Sequence, residues 1–333
     1  MISKPKILLV IDRPNWAYDY IAKMLEKNLS NKYHFYKLIS NYHVKREAMS
    51  FRYFITHPAR LIKAACYERF SYRIRYDIVV YMWWYIPEYM KTGNIKGKYT
   101  LSGIFTELFP PGGTVDFEGD INSFIKRYID PSDGIIAGNM NILEMYKNHS
   151  LPVYYASGAT DTDIFHYNRQ KRIGNELRVC WTGNPNRNFK GFYDFIQPAV
   201  ELAQIKYPDI KLITRFSGPL KTLPDFYKSA DVMVNASVGD AGPGFIIDAG
   251  ACGVPTISSN TGFASEIISD NVNGFIVDRS VESISNKIIE LYENRVLLEN
   301  ASDKIARDVK FNWNQKSRSK YWDEVFQNIL KSG

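Results

Sequence analysis

The sequence predicts an α/β fold of two domains, each built on a parallel β-sheet with crossover helices. A length of 333 residues exceeds a typical single domain and suggests two. Short apolar segments alternate with helical ones along most of the chain, which is the pattern of parallel sheets with crossover helices. The alternation pauses at residues 165–176, which are polar and basic, and we interpret this stretch as a linker.

The first half begins with a short apolar strand at residues 6–11. A helix is predicted over residues 17–29, because Ile21, Met24, Leu25 and Leu29 recur at helical spacing on one face. Further strands are predicted at residues 34–39, 77–82, 99–105 and 134–137, and a helix near residues 141–146.

The second half repeats the alternation. Strands are predicted at residues 178–181, 211–215, 231–236, 256–258 and 274–277, and helices at residues 192–204, 244–252 and 281–298. We therefore predict domains at residues 1–160 and 173–312. Ligands of such sheets bind outside the carboxyl ends of the strands.

Composition places few limits on function but excludes some classes. Apolar content of 45% and charged content of 23% are ordinary for a globular protein. The three cysteines, Cys66, Cys180 and Cys252, lack metal-ligand spacing and argue against a disulfide framework. The chain shows neither a signal-peptide layout nor a run of about 20 apolar residues. We predict a cytoplasmic protein.

The most informative segment spans residues 235–255. A buried strand is followed by a glycine-rich loop and by a helix that opens near Gly244, an arrangement that brings backbone N–H groups close to a phosphate. Asp248, one turn inside that helix, can reach a ribose beside the phosphates, and Asp240 in the loop can accept hydrogen bonds from sugar hydroxyls. Taken without their context, the two acids are also compatible with a loop acid and a helix-dipole acid.

This segment resembles glycosyltransferase family 4. Enzymes of that family carry two acidic residues separated by seven others, and Asp240 and Asp248 have this spacing. The stretch Asp-Ala-Gly-Ala-Cys-Gly-Val-Pro from Asp248 is similar to the family's Glu-Ala-Met-Ala-Cys-Gly-x-Pro. Residues 261–268, 273–277 and 157–165 also resemble family segments. Both acidic positions are Asp here, whereas the family usually has Glu.

The resemblance implies the GT-B fold, with two Rossmann-like domains facing each other across a cleft. It implies that the first domain binds the acceptor, that the second binds a UDP- or GDP-sugar, and that a last helix at residues 313–330 packs back on the first domain. It also implies transfer of a hexose with retention of configuration, without a metal or other cofactor. The donor-binding residues implied are Gly183, Asn184, Gly242, Pro243, Gly244, Phe245 and Asp248, and the catalytic residues are Asp240, Lys190, Arg187 and Glu107.

Three of these catalytic assignments have a simpler alternative. In the family, an Arg and a Lys after the first strand of the second domain neutralise the leaving diphosphate. Asn184 occupies the usual position of the Arg, so Arg187 is the substitute and Lys190 the safer assignment. Both are also compatible with solvated surface charges. Glu107 lies where many members have a His, and it is also compatible with a structural or exposed role.

The charge is divided unevenly along the chain. Residues 1–100 carry 18 Lys/Arg and 7 Asp/Glu, whereas the whole chain has a net charge of +7. Residues 43–76 combine eight Lys/Arg with interleaved aromatics. We interpret this stretch as a surface for an anionic membrane, with a solvated basic face as the equal alternative. No recognised motif supports nucleic-acid binding.

The expected function is therefore a cytoplasmic glycosyltransferase, peripheral on the inner face of the cell membrane. Its acceptor would be a glycan, lipid-linked during assembly of a surface polysaccharide such as lipopolysaccharide or capsule. Two alternatives remain: a non-catalytic nucleotide-sugar-binding subunit, and a nucleotide-sugar epimerase of the same fold. The epimerase needs acid/base carboxylates and a His near the site, and the five His of this chain lie in no motif.

Overall fold

A computed structural model shows the fold of the chain. It describes residues 3–40, 73–85, 95, 97–107, 119–167, 175–242 and 244–332. The chain divides into two compact units. The first contains residues 1–105, 109–158 and 319–333, and the second contains residues 106–108 and 159–318. Within the described residues, no helix has the length and apolarity needed to span a membrane.

The first unit is built on a six-stranded parallel sheet. Its strands are β1 (Lys6–Ile11), β2 (His34–Ile39), β3 (Tyr76–Tyr81), β4 (Gly97–Ile104), β5 (Gly134–Ala137) and β6 (Val153–Tyr155). They lie in the order β2-β1-β3-β4-β5-β6. Its helices are α1 (Ala17–Leu29), α2 (Ile121–Phe124) and α3 (Met140–Tyr146). The strand β6 was not predicted, because its three residues lie in a short run without clear alternation.

Burial explains why the central strands of this sheet have apolar sequences. β5 is buried along its whole length, and β1 after its first residue, as expected for a parallel sheet covered on both faces. Helix α1 buries Ile21, Met24, Leu25 and Leu29, so the helical face predicted from spacing is confirmed.

The second unit is built on a five-stranded parallel sheet. Its strands are β7 (Leu177–Thr182), β8 (Ile210–Arg215), β9 (Val232–Asn235), β10 (Thr256–Ser258) and β11 (Phe275–Ile276). They lie in the order β11-β10-β9-β7-β8. Residues 168–174 of the predicted linker lie outside the described residues.

Seven α-helices follow β7 in the described residues. They are α4 (Gln197–Lys206), α5 (Leu223–Lys228), α6 (Gly244–Ala251), α7 (Ala264–Ile267), α8 (Val281–Glu293), α9 (Arg295–Asn312) and α10 (Gln315–Lys331). The prediction of one helix over residues 281–298 is wrong. The first helix ends at Glu293, and the side chain of Asn294 caps a new one by accepting a hydrogen bond from the backbone N–H of Leu297 at 3.1 Å.

Helix α10 begins in the second unit, and its residues from Ser319 onward belong to the first. There the indole Nε1 of Trp322 donates to the backbone oxygen of Ser157 at 3.0 Å. The hydroxyl of Tyr33 donates to Asp323 at 2.8 Å. Trp322 and Phe326 are fully buried, so the end of the chain completes the core of the first unit.

Candidate functional site

The strand order of the second sheet marks a preferred place for a ligand. From β7 the chain moves to β8 on one side of the sheet and then returns to β9 on the other side. In open parallel sheets, ligands bind outside the carboxyl ends of the strands where the order reverses in this way. The segments at this point are the β7 loop (residues 183–191) and the β9 loop (residues 236–243).

Backbone contacts hold the two loops together. The N–H of Val238 donates to the carbonyl of Phe189 at 2.9 Å. Gly191 has a φ of +67°, and a Cβ at this position would lie 2.7 Å from the carbonyl oxygen of Ala236. Only glycine suits both the left-handed conformation and the close approach, so the end of the β7 loop is pressed against the β9 loop.

Arg279 also contacts the carbonyl of Ala236. Its Nε donates to the oxygen of Ala236 at 2.8 Å, and its guanidinium lies 4.1 Å from the ring centre of Phe195. Burial lowers the pKa of this Arg from its ordinary value. Arg279 was not among the site residues predicted from the sequence. Its position just after β11, at the same edge of the sheet, is the signal that would have identified it.

A buried polar network supports the start of the β9 loop. The side-chain oxygen of Asn235 accepts from the N–H and the hydroxyl of Ser237 at 3.1 and 2.7 Å. The amide nitrogen of Asn235 donates to the hydroxyl of Ser258 at 2.9 Å, and the hydroxyl of Ser259 donates to the carbonyl of Ser237 at 2.9 Å. Buried networks in which every group is hydrogen-bonded restrict local conformation. This network therefore restricts the backbone at the start of the β9 loop.

Lys190 of the β7 loop and Asp240 of the β9 loop form an ion pair. Their side chains are 14% and 17% exposed, so water reaches the pair while most of each side chain is covered. The Nζ of Lys190 also lies 5.0 Å from the ring centre of Phe245, at the start of α6. The structure thus brings together three predicted site residues that are up to 55 positions apart in the sequence.

The space beside Gly244, the first residue of α6, is open. A Cβ at Gly244 would meet no atom within 4 Å. At Gly242, by contrast, a Cβ would lie 2.5 Å from the ring of Phe263, so the bare backbone is needed there. Pro243 lies outside the described residues. Free N–H groups at a helix start favour anions, and the neighbouring Lys190 has the charge to reinforce that preference.

Asp248 lies one turn inside α6 and is partly buried. The hydroxyl of Thr160 donates to its Oδ1 at 2.6 Å. Burial raises the pKa of Asp248 to about 7, although the hydrogen bond from Thr160 opposes this increase. Asp248 therefore exists near neutral pH as a mixture of the carboxylate and the neutral acid.

Gly183, Asn184 and Arg187 all lie in the β7 loop. Gly183 has a φ of +147° and donates its N–H to the carbonyl of Arg215 at 3.2 Å. Asn184 is exposed, and its carbonyl accepts from the N–H of Arg187 at 3.2 Å. The Arg187 guanidinium lies 5.9 Å from the ring centre of Phe189. The turn directly before Lys190 is thus ordered by its own backbone.

Glu107, which belongs to the second unit, contacts the β9 loop and the segment that follows β10. Its N–H donates to the carbonyl of Gly239 at 3.1 Å, and its Oε2 accepts from the N–H of Gly262 at 3.3 Å. The preceding Thr106 pairs with Asp240 in an antiparallel bridge. The structure therefore places Glu107 beside the Asp240 loop, with its carboxylate on a backbone N–H.

The described residues contain no group of three or more His, Cys, Asp or Glu side chains placed to hold a metal ion.

Comparisons with known proteins show what the fold and part of the sequence are similar to. Residues 203–308 match the family model described as glycosyl transferases group 1. Sucrose-phosphate synthase from Thermosynechococcus elongatus superposes with a TM-score of 0.75 at 13% identity, over 99% of this chain and 100% of that one. Among curated proteins, none matches the sequence significantly.

Two further solved structures are similar over nearly their whole length. Anabaena Alr3699/HepE in complex with UDP and glucose superposes with a TM-score of 0.68 at 12% identity, covering 97% of this chain and 99% of that one. A glycosyltransferase from Rickettsia africae gives a TM-score of 0.65 at 14% identity, covering 99% and 100%. The chain therefore has the GT-B fold of glycosyltransferases, as the sequence predicted, and its residues 203–308 match the group 1 glycosyl transferase model.

Proposed function

We propose that the protein is a glycosyltransferase that moves a hexose from a nucleoside diphosphate sugar to a glycan acceptor. The observation that carries this proposal is the Lys190–Asp240 ion pair at the reversal of strand order, beside the open start of α6. A cation next to free helical N–H groups suits a diphosphate. A carboxylate beside that cation suits the hydroxyls of the attached sugar.

In this proposal the diphosphate lies against the start of α6 and contacts Lys190, while Asp240 accepts from the sugar. Negative charge accumulates on the diphosphate as the glycosidic bond breaks, and a preorganised cation stabilises it. Arg187, three residues earlier on the same loop, is the second candidate cation. Asp248 accepts from the ribose. Glu107, held beside Asp240, is the candidate on the acceptor side.

The reaction class follows from the resemblance to family 4. We propose retention of configuration, with the leaving phosphate assisting the incoming hydroxyl, and no metal requirement. In that mechanism the protein supplies charge and position, and no side chain acts as a nucleophile. Turnover should therefore be unchanged when a strong chelator is added.

Nucleotide binding is the first test. A UDP- or GDP-sugar present at about 100 times its Kd should stabilise the protein by about 2.7 kcal/mol, seen as a rise in Tm. UDP-sugars are the first to try, because the Anabaena structure holds UDP and glucose. A protein that no nucleotide sugar stabilises would contradict the proposal.

The reaction products then distinguish a transferase from an epimerase and from a binding subunit. A transferase releases nucleoside diphosphate, by slow hydrolysis or by transfer to an acceptor. An epimerase changes the configuration of the donor sugar, and a binding subunit leaves the donor intact. Analysis of the nucleotide and sugar products after incubation with a stabilising donor distinguishes the three.

The proposal for the acceptor depends on the basic stretch at residues 43–76. Residues 43–72 lie outside the described residues, and the observation behind the proposal is the eight Lys/Arg of residues 43–76. We propose that this stretch attaches the enzyme to the inner face of the cell membrane. That location would present a lipid-linked glycan acceptor to it, in assembly of a surface polysaccharide such as lipopolysaccharide or capsule.

Attachment to anionic membranes gives a direct prediction. Each basic residue near such a surface contributes about 1 kcal/mol, and salt screens the attraction. Replacing Arg69, Arg73 and Arg75 by Glu should release the protein from anionic vesicles in a sedimentation assay and leave nucleotide binding intact. Equal sedimentation with neutral and anionic vesicles at low salt, or with neither, would show that the stretch is a solvated face.

A further inference from the structure

Thr160 has a fixed backbone in the second unit. It is buried, its N–H donates to the carbonyl of Trp313 at 3.1 Å, and it pairs with Asn314 in a parallel bridge. Asn314 in turn caps α10, since its side-chain oxygen accepts from the N–H of Ser317 at 2.9 Å. The start of α10 thus anchors the chain at Thr160.

The side chain of Thr160 is aimed at Asp248. Its hydroxyl donates to Oδ1 of that carboxyl at 2.6 Å, across a sequence separation of 88 residues. Threonine is β-branched and has few χ1 rotamers, so a fixed backbone restricts the positions that the hydroxyl can take. Because Thr160 is buried, water does not compete freely for this hydrogen bond, which strengthens it.

Among the described residues, the other titratable groups that interact with Asp248 give it no positive charge. They are Asp161 next to Thr160, Tyr227 of α5, and Cys252 at the end of α6. Asp161 raises the pKa of Asp248 further, in addition to the effect of burial. Within the described part of the chain, the Thr160 hydroxyl is therefore the group found to favour the ionised form of Asp248.

We propose that Thr160 is a positioning residue for the donor nucleotide: it fixes Oδ1 of Asp248 and leaves Oδ2 to accept from the ribose. This inference rests on the proposed function, because the ribose is that of the nucleotide sugar. Thr160 does not touch the ligand. It acts by holding the carboxylate in one orientation and in its ionised form.

Two variants separate the hydroxyl from the shape of the side chain. Thr160→Val removes the donor and keeps the branched shape, whereas Thr160→Ser keeps the donor. The titration of Asp248 is read without ligand, by NMR of protein labelled with ¹³C at the aspartate carboxyl, and Asp248→Asn assigns the signal. In Thr160→Val the midpoint should rise by about one pH unit, the equivalent of losing one hydrogen bond to a charged group. In Thr160→Ser it should stay close to the wild-type value.

Binding of an intact nucleotide sugar is the second measurement. Its two phosphates are both esterified, so the ligand itself does not titrate near neutrality. At pH 7, Thr160→Val should bind roughly 10-fold more weakly than the wild type, and Thr160→Ser should bind nearly as well. If Thr160→Val does not fold, Thr160→Ala takes its place, with Thr160→Ser again as the matched control.

The two measurements distinguish failure of the role of Thr160 from failure of the proposed function. An unshifted midpoint in a protein that binds nucleotide sugar overturns the role of Thr160 and leaves the proposed function standing. A shifted midpoint in a protein that binds no nucleotide sugar overturns the ribose role together with the proposed function. A shifted midpoint combined with weaker binding that serine restores supports the inference.

Discussion

Replacement of Lys190 by alanine should lower the turnover of sugar transfer on the order of 100-fold, as expected when one preorganised charge donor is lost. The cation lies between Asp240 and the ring of Phe245, where the diphosphate would meet the start of α6. Its loss removes charge that matters most in the transition state. The effect should therefore appear in kcat, measured with saturating donor.

A matched lysine provides the control. Lys211 is exposed at the amino end of β8, the edge of the sheet opposite the site, and its Nζ donates to the carbonyl of Pro208. Lys211→Ala should leave turnover unchanged. If Lys190→Ala, still folded by circular dichroism, stays within a factor of about three of the wild type, Lys190 is a surface charge and the assignment is wrong.

The ion pair itself can be tested through a double-mutant cycle. Lys190→Ala leaves Asp240 without its partner, so part of the loss would come from displacement of that carboxylate. Asp240→Asn and the double variant separate the two contributions, because groups that act together are not additive. An effect of the double variant close to that of either single one would indicate that the two side chains act as a unit.

Much of this fold follows from local patterns in the sequence. The strands β1, β2, β5 and β10 have the predicted bounds, because buried parallel strands are short apolar runs with polar ends. The break at Asn294 was missed, since the helical spacing of apolar residues continues across it. Only the cap shows that two helices meet there.

The site was predicted less completely, because its contacts join residues that are far apart in the sequence. Lys190 and Asp240 were predicted separately, each from the resemblance of its own segment to family 4, but no local pattern indicates that they form an ion pair. Thr160 and Arg279 were missed because their partners, Asp248 and Ala236, lie 88 and 43 residues away. Contacts of this kind depend on which strands become neighbours, and a single sequence does not reveal that order.

In the family that this segment resembles, both acidic positions usually carry Glu, so the question is what positions the shorter Asp side chains of this chain. For Asp248 the structure offers a physical answer: the Thr160 hydroxyl, which comes from the segment that joins the two units, holds one oxygen of the shorter acid. For Asp240 the side chain is paired with Lys190, and the backbone forms a bridge with Thr106. Both acids are thus positioned by residues remote in sequence.

Asp248→Asn should weaken binding of the donor nucleotide by roughly 1.5–3 kcal/mol at pH 8, the range for a hydrogen bond to a charged group. The change keeps the shape of the side chain and removes the charge that the ribose hydroxyls would meet. Asp209, exposed at the amino end of β8, is the matched control, and Asp209→Asn should bind the nucleotide as the wild type does. Titration calorimetry with an intact nucleotide sugar measures both.

The pH dependence of nucleotide affinity provides a more specific test of Asp248. Burial raises the pKa of Asp248 to about 7, so the wild-type carboxyl is largely neutral at pH 6 and largely ionised at pH 8. Because the ionised form accepts the stronger hydrogen bonds, wild-type affinity should rise as the pH increases through about 7. Asn does not titrate, so the affinity of Asp248→Asn should stay flat over the same range, and the two curves should converge at low pH. Parallel curves for the two proteins would mean that another group titrates in the site and that Asp248 does not contact the ribose.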